Sequence, residues 1–215
     1  MAGESLMPDS ELDPDSVLMK QVRAGNREAF EKLVDKYKQP VVNLIARTLG
    51  DATEAEDLAQ NVFIQAYKAA HRYKVSARFS TWLYTIARNL CLNELRRRSR
   101  HPAEPLEIHG AEGEPADRNL EDTVSAQPPE VVLQRELETK LNEALTELPE
   151  KQRIAIILCA REEMPYEEIA KVIGCSLAAT KSLIFRGREA LKMKLKPYLK
   201  TGEWLADDEH GKSKR

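Results

Sequence analysis

Little in this sequence suits an enzyme, a secreted scaffold or a membrane span. Only three cysteines occur in 215 residues; Cys91, Cys159 and Cys175 stand far apart and lack CxxC spacing. That usage excludes a disulfide frame and a cysteine zinc site, and points to reduced thiols. No apolar run approaches the roughly 20 residues that cross a bilayer, and the acidic start MAGESLMPDSELDPDS has no apolar stretch of the kind a signal peptide needs. His71, His101, His109 and His210 fall outside Ser/His/Asp or metal-ligand spacings, and no glycine-rich phosphate loop is present. The expectation is a non-enzymatic chain with no metal and no cofactor, placed in the cytoplasm. Aromatics make up only 6%. Two-residue alternation and β-branched clusters are missing, so nothing signals strands and the expected fold is all-α. Lysine and arginine number 33 against 35 acidic residues, a net charge of −2. This balance excludes a uniformly basic nucleic-acid coat but leaves room for segregated patches.

What the chain does have is helical periodicity in two blocks. Residues 1–14 read as an acidic tail and 15–100 as a first helical domain. Short helix 16–24 ends at Gly25, and a longer apolar stripe runs from Arg27 to Gly50 with Pro40 either kinking one helix or opening a second. Thr53 and Glu56 match a capping box, followed by an inner face of Leu58, Ala59, Val62, Phe63 and Ala66. Residues 101–130 change character: Pro102, Pro105, Pro115, Pro128 and Pro129 break helices and carboxylates dominate. With so few large apolar groups this segment reads as a flexible linker. Residues 131–197 resume the helical pattern as a second domain, with Pro149 and Gly174 as punctuation and Pro197 as the expected stop. Residues 198–215 form a polar tail.

Two stretches carry chemistry. In YKVSARFSTWLYTIARNLCLNELRRRSR, Tyr73, Phe79, Trp82 and Tyr84 crowd beside an amphipathic run that ends on Arg96, Arg97, Arg98 and Arg100. Flat rings can stack on unpaired bases while guanidinium groups hold phosphates of the same strand. Trp82 and Tyr84 also fit a core, and basic residues in a last helical turn favourably oppose the macrodipole. The second stretch, EEIAKVIGCSLAATKSLIFR, has the outline of a helix-turn-helix. Ala170 is small where helices approach, Gly174 supplies the turn, and Ile169, Leu177 and Ile184 can pin the pair. Its second helix would lie in a major groove, with Lys181, Ser182, Arg186 and Arg188 projecting.

Two such domains in this order resemble an extracytoplasmic-function sigma factor, the two-domain specificity subunit of bacterial RNA polymerase. GNREAFEKLVDKY resembles the family's opening helix, AEDLAQNVFIQAY its polymerase-docking helix, and FSTWLYTIARNLCLNELRRR its promoter-melting segment. LPEKQRIAIIL and YEEIAKVIG resemble the −35-reading domain. The resemblance implies core RNA polymerase and promoter DNA as partners, an anti-sigma factor besides, and no membrane insertion. Asp57, Gln60, Asn61 and Gln65 would meet the clamp coiled coil of the largest polymerase subunit, with the flap as a second contact and Phe63 supporting the docking helix from inside. Asn61 stands where the family usually carries an acid. His71, Arg72, Tyr73, Lys74, Arg78, Phe79, Ser80, Trp82, Asn89, Arg96, Arg97 and Arg98 would serve −10 melting, a flipped base being captured on the 71–80 loop. Ser176, Ala179, Thr180, Lys181, Ser182, Arg186 and Arg188 would serve −35 reading. Thr180 replaces an apolar core residue of similar shape, and Leu183 removes a surface cation. About 30 linker residues reach roughly 100 Å when extended, enough for elements about 55 Å apart. The rival readings are a helix-turn-helix regulator working without polymerase and a helical adaptor that binds only proteins.

Overall fold

The helices begin and end on local signals that tertiary packing sometimes overrides. The computed structural model describes residues 13–74, 78–100 and 129–201, with side chains described up to 200 and, in the last span, from 136. The tail, linker and C-terminal stretch read from composition otherwise lie outside the described residues. Helix α1 (Pro14–Arg23) starts with proline in its first turn, where the missing N–H costs nothing, and stops before Gly25 at φ 97°. Asn26 opens α2 (Arg27–Leu49) by accepting the Ala29 N–H at 3.2 Å. Pro40 lies inside α2, which continues through it as one helix. Gly50, left-handed at φ 72°, ends it.

Helix α3 (Thr53–Ala69) is not capped by the Thr53/Glu56 pair. Asp51 does the work instead: its Oδ1 accepts the N–H groups of Thr53 at 2.9 Å and Glu54 at 3.3 Å. A 3₁₀ turn (Ala70–Arg72) leads toward α4 (Phe79–Arg100). The second module contains α5 (Pro129–Thr146), α6 (Glu150–Arg161), α7 (Tyr166–Ile173) and α8 (Leu177–Thr201). Pro197 does not stop α8, which runs four residues past it to Thr201. No strand occurs among the described residues, and none of their helices is long and apolar enough to cross a membrane.

The two modules pack on each other. Helix α4 lies against α7, and α2 lies against α5 and α6. One apolar cluster runs without a break from Leu33, Val41, Leu44, Val62, Leu83 and Ala87 to Ile154, Leu158, Ile169 and Ile173. Each buried Leu or Ile is worth about 1.5–3 kcal/mol relative to exposure. A smaller cluster of Ala144, Leu145, Leu148, Ile156 and Leu191 belongs to the second module alone. At the seam Gly50 approaches so closely that a Cβ there would stand 2.7 Å from Thr146 Cγ2. Arg153, only 7% exposed, crosses the seam: its Nη1 donates to the Thr48 carbonyl of α2 and its Nη2 to Thr146 and Leu148. Arg47 Nη1 donates to Asn142 Oδ1 at 3.0 Å.

Candidate polymerase and nucleic-acid interfaces

Helix α3 turns Ala59, Val62, Phe63 and Ala66 inward, so its other face is open by the helical period. Asp57, Gln60, Asn61 and Gln65 are all exposed there, and Phe63 is 8% exposed, inside the core. Two residues the sequence reading passed over join them: Ile64 is 48% exposed and Tyr67 46%. The Tyr67 ring rests on Phe30 with centroids 5.0 Å apart. An apolar patch ringed by amides and a carboxylate is the composition of a protein-docking surface. Their signal was available, because positions 64 and 67 fall outside the inner set.

The aromatic loop is arranged differently from the expectation. Tyr73 is 3% exposed and Phe79 is fully buried, so neither ring offers a face for a captured base in this arrangement. The Tyr73 hydroxyl meets Ser16 Oγ at 2.9 Å, and the Phe79 N–H donates to Asp13 Oδ2 at 3.2 Å. Both rings belong to an edge-packed group: Tyr37 to Phe79 is 5.4 Å between centroids and Tyr73 to Trp82 is 5.1 Å. Burial and the hydrogen bond to Asp15 push the Tyr37 phenol well above its usual range, so it stays a neutral donor to Asp15. Trp82 is half-buried on the edge of this group. Around it His71, Arg72, Lys74 and Arg78 are exposed and Ser80 is half-buried, while positions 75–77 lie outside the described residues.

Farther along α4, Arg96, Arg97, Arg100 and Asn89 are exposed. Arg98 is a structural clamp rather than a free cation: it reaches Glu54 at 2.7 Å, Asp51 at 3.1 Å and Glu94 at 3.2 Å. The hydrogen bond to Glu54 holds its guanidinium above the ordinary range. Arg97 pairs with Glu94 at 2.7 Å but keeps its outer edge in solvent. Hydrogen bonds from Arg97, and then Arg98, outweigh desolvation and hold the Glu94 carboxyl below its usual range.

In the second module α7, the turn and α8 form the helix-turn-helix. Gly174 is left-handed at φ 65°, and the Cys175 N–H donates to the Ala170 carbonyl at 3.0 Å. Ile169, Ala170 and Ile184 are buried between the helices. Ser176 acts as a cap, its Oγ accepting the Ala179 N–H at 3.2 Å. Thr180 is fully buried, and its hydroxyl donates to the Ser176 carbonyl at 3.0 Å, so it belongs to the core and not to a DNA face. Leu183 is half-buried, its side chain packed against the core. Lys181, Ser182, Arg186 and Arg188 are exposed, as is Ala179. Phe185, 67% exposed, shares a shallow depression with Lys181, Ser182 and Arg186. The sequence reading missed it because an aromatic in an amphipathic helix defaults to core. Arg188 Nη2 lies 3.2 Å from Cys159 Sγ of α6.

Comparison with known proteins agrees with this arrangement. A model of Sigma-70 region 2 matches residues 33–101, and one of Sigma-70, region 4 matches residues 138–191. The RNA polymerase sigma-H factor of Pseudomonas aeruginosa is 38% identical over 87% of this chain and 97% of its own length. The ECF RNA polymerase sigma factor SigW of Bacillus subtilis is 35% identical over 83% and 95%. Among solved structures, CnrH in complex with the cytosolic domain of CnrY superposes with a TM-score of 0.61 at 25% identity, covering 86% of this chain and 99% of that one. The Bartonella quintana sigma factor RpoE, solved with the anti-sigma factor NepR, shares the fold with a TM-score of 0.58 at 24% identity, over 78% and 96%. With both regions present in order and relatives matched over nearly their whole length, the chain belongs to the extracytoplasmic-function (ECF) family of RNA polymerase sigma factors.

Proposed function

We propose that the chain directs promoter-specific initiation by docking on core RNA polymerase with the outer face of α3 and gripping −35 duplex with the start of α8. Asp57, Gln60, Asn61 and Gln65 supply polar contacts to the clamp, and Ile64 and Tyr67 supply the apolar centre. The −10 strand is held by α4 and the turn before it, through His71, Arg72, Lys74, Arg78, Ser80, Trp82, Asn89, Arg96 and Arg97. Polymerase performs all bond chemistry, so the chain acts in the cytoplasm without a catalytic group of its own. An anti-sigma factor is a fitting further partner, as the Bartonella relative was solved with one. The observation that carries the reading is the exposed set Lys181, Ser182, Phe185 and Arg186 on the second helix of a helix-turn-helix pinned by buried Ile169, Ala170, Thr180 and Ile184. Run-off transcription with purified core enzyme tests it. Promoter-dependent product is expected; no product from any cognate site, together with no core binding, overturns it.

Phe185 gives a finer prediction. An exposed aromatic beside cations suits the 5-methyl group of thymine in the major groove. Replacing thymine by uracil in the cognate −35 duplex should weaken holoenzyme binding several-fold, and F185A should bind both duplexes equally. A wild-type holoenzyme indifferent to the methyl group would remove Phe185 from base reading.

A further inference from the structure

Helix α8 exposes more than base reading can use. Among the described residues five large apolar side chains are exposed, and three lie on this helix: Phe185, Met193 at 74% and Leu199 at 65%. Lys192, Lys196 and Lys200 are exposed among them, while Ile184, Leu191 and Tyr198 turn inward. Met193, Lys196 and Leu199 follow at three-residue spacing, which makes them surface neighbours. Glu189, the one acid of α8, meets Lys192 at 3.7 Å. A major groove is about 12 Å wide. Met193 stands about 12 Å, and Leu199 about 21 Å, beyond Phe185 along the helix axis. A helix that reads bases around Phe185 has therefore left the groove at both residues. The macrodipole explains Lys200 in the last turn, but not the apolar groups beside it.

The sequence places a matching segment directly after the helix. Residues 203–209, EWLADDE, set Trp204 and Leu205 among four carboxylates. Gly202, just ahead of them, is the residue type that suits a chain reversal after a helix. We propose that residues 203–209 fold back along the outer face of α8. Trp204 and Leu205 cover Leu199 and Met193, and Asp207, Asp208 and Glu209 pair with Lys192 and Arg186. Chain length permits this register. Trp204 and Leu205 lie three and four positions past Thr201, a reach of about 10–14 Å, and Met193 is about 12 Å back along the helix. The acids 207–209 reach about 20–28 Å, and Arg186 is about 22 Å back. Carboxylates of the segment and phosphates of the duplex then compete for Arg186, a point that rests on the −35 reading above. A segment docked in about 90% of free molecules weakens duplex binding about tenfold.

The test compares the free full-length wild type with W204A/L205A and with D207N/D208N/E209Q. Carbodiimide joins amines to carboxylates at contact distance, and peptide mass spectrometry locates the links. In wild-type monomer Lys192 should be linked to the acids 207–209, and W204A/L205A should lose that link. The second readout is fluorescence anisotropy of a labelled random-sequence DNA duplex at low salt. Both variants should bind it up to about tenfold more tightly than the wild type, with the gain shrinking as salt is raised. W204A/L205A keeps every charge, so its gain separates docking from general repulsion of DNA by acids. Wild-type affinity in W204A/L205A, or no link from Lys192, overturns the proposal. Links found only in a species of doubled mass give the face to a second copy and overturn it too. If none of the three proteins binds the duplex although the link forms, the competition falls, and the −35 reading of α8 falls with it.

Discussion

Phe79→Ala lowers the stability of the whole protein by about 3–5 kcal/mol, the usual loss when a fully buried ring is truncated. Phe79 has no exposed surface, sits at the centre of the Tyr37, Tyr73 and Trp82 rings, and is the first residue of α4. Removing it leaves a cavity under the helix that carries both proposed strand contacts and part of the seam. Core binding and open-complex formation should therefore fall together, in step with a lowered melting temperature measured calorimetrically. A loop ring that stacks on a flipped base predicts a different pattern, an open-complex defect with unchanged melting. That outcome would return Phe79 to the strand-binding set.

Arg153→Ala should cost a comparable 3–5 kcal/mol. Its guanidinium is the shared donor for three main-chain carbonyls, at the ends of α2 and α5 and at Leu148 in the turn before α6. Truncation strands these acceptors away from water, and each orphaned group costs about 1–3 kcal/mol. Burial already depresses the guanidinium pKa below its ordinary range, an effect that the negative charge of Glu150 partly offsets. Chemical denaturation should show a midpoint well below the wild type. Arg153→Lys should recover little, because a single ammonium on a shorter reach cannot serve carbonyls on both sides of the seam. A midpoint within experimental error of the wild type would show that water replaces the side chain and that Arg153 is not a strap.

Helix number, order and inward faces were readable because period and punctuation are local. Gly174, Ala170 and the Ile169/Ile184 pair announce the helix-turn-helix from within 16 residues of chain. The roles of Tyr73 and Phe79 were not readable, since the partners that bury them lie 57 and 66 residues earlier at Ser16 and Asp13. Arg98 looked like one of a row of free cations for the same reason: its carboxylates at Asp51 and Glu54 are 47 and 44 residues away. Pro40 and Pro197 break intrinsic propensity, yet packing on both sides carries α2 and α8 past them. The cap of α3 was in reach, because Asp51 stands two residues ahead of Thr53, but the Thr53/Glu56 pattern competed for the same start. Nothing in the pattern of either block signalled the seam between them, where the residues meeting are separated by 78 to 105 positions.

Because the apolar cluster crosses that seam unbroken, the joint obeys the thermal law of oily surfaces in water. Such contacts weaken on cooling, opposite to what simple bond breaking would give. Cooling therefore loosens the joint between the modules relative to the hydrogen bonds that accompany it.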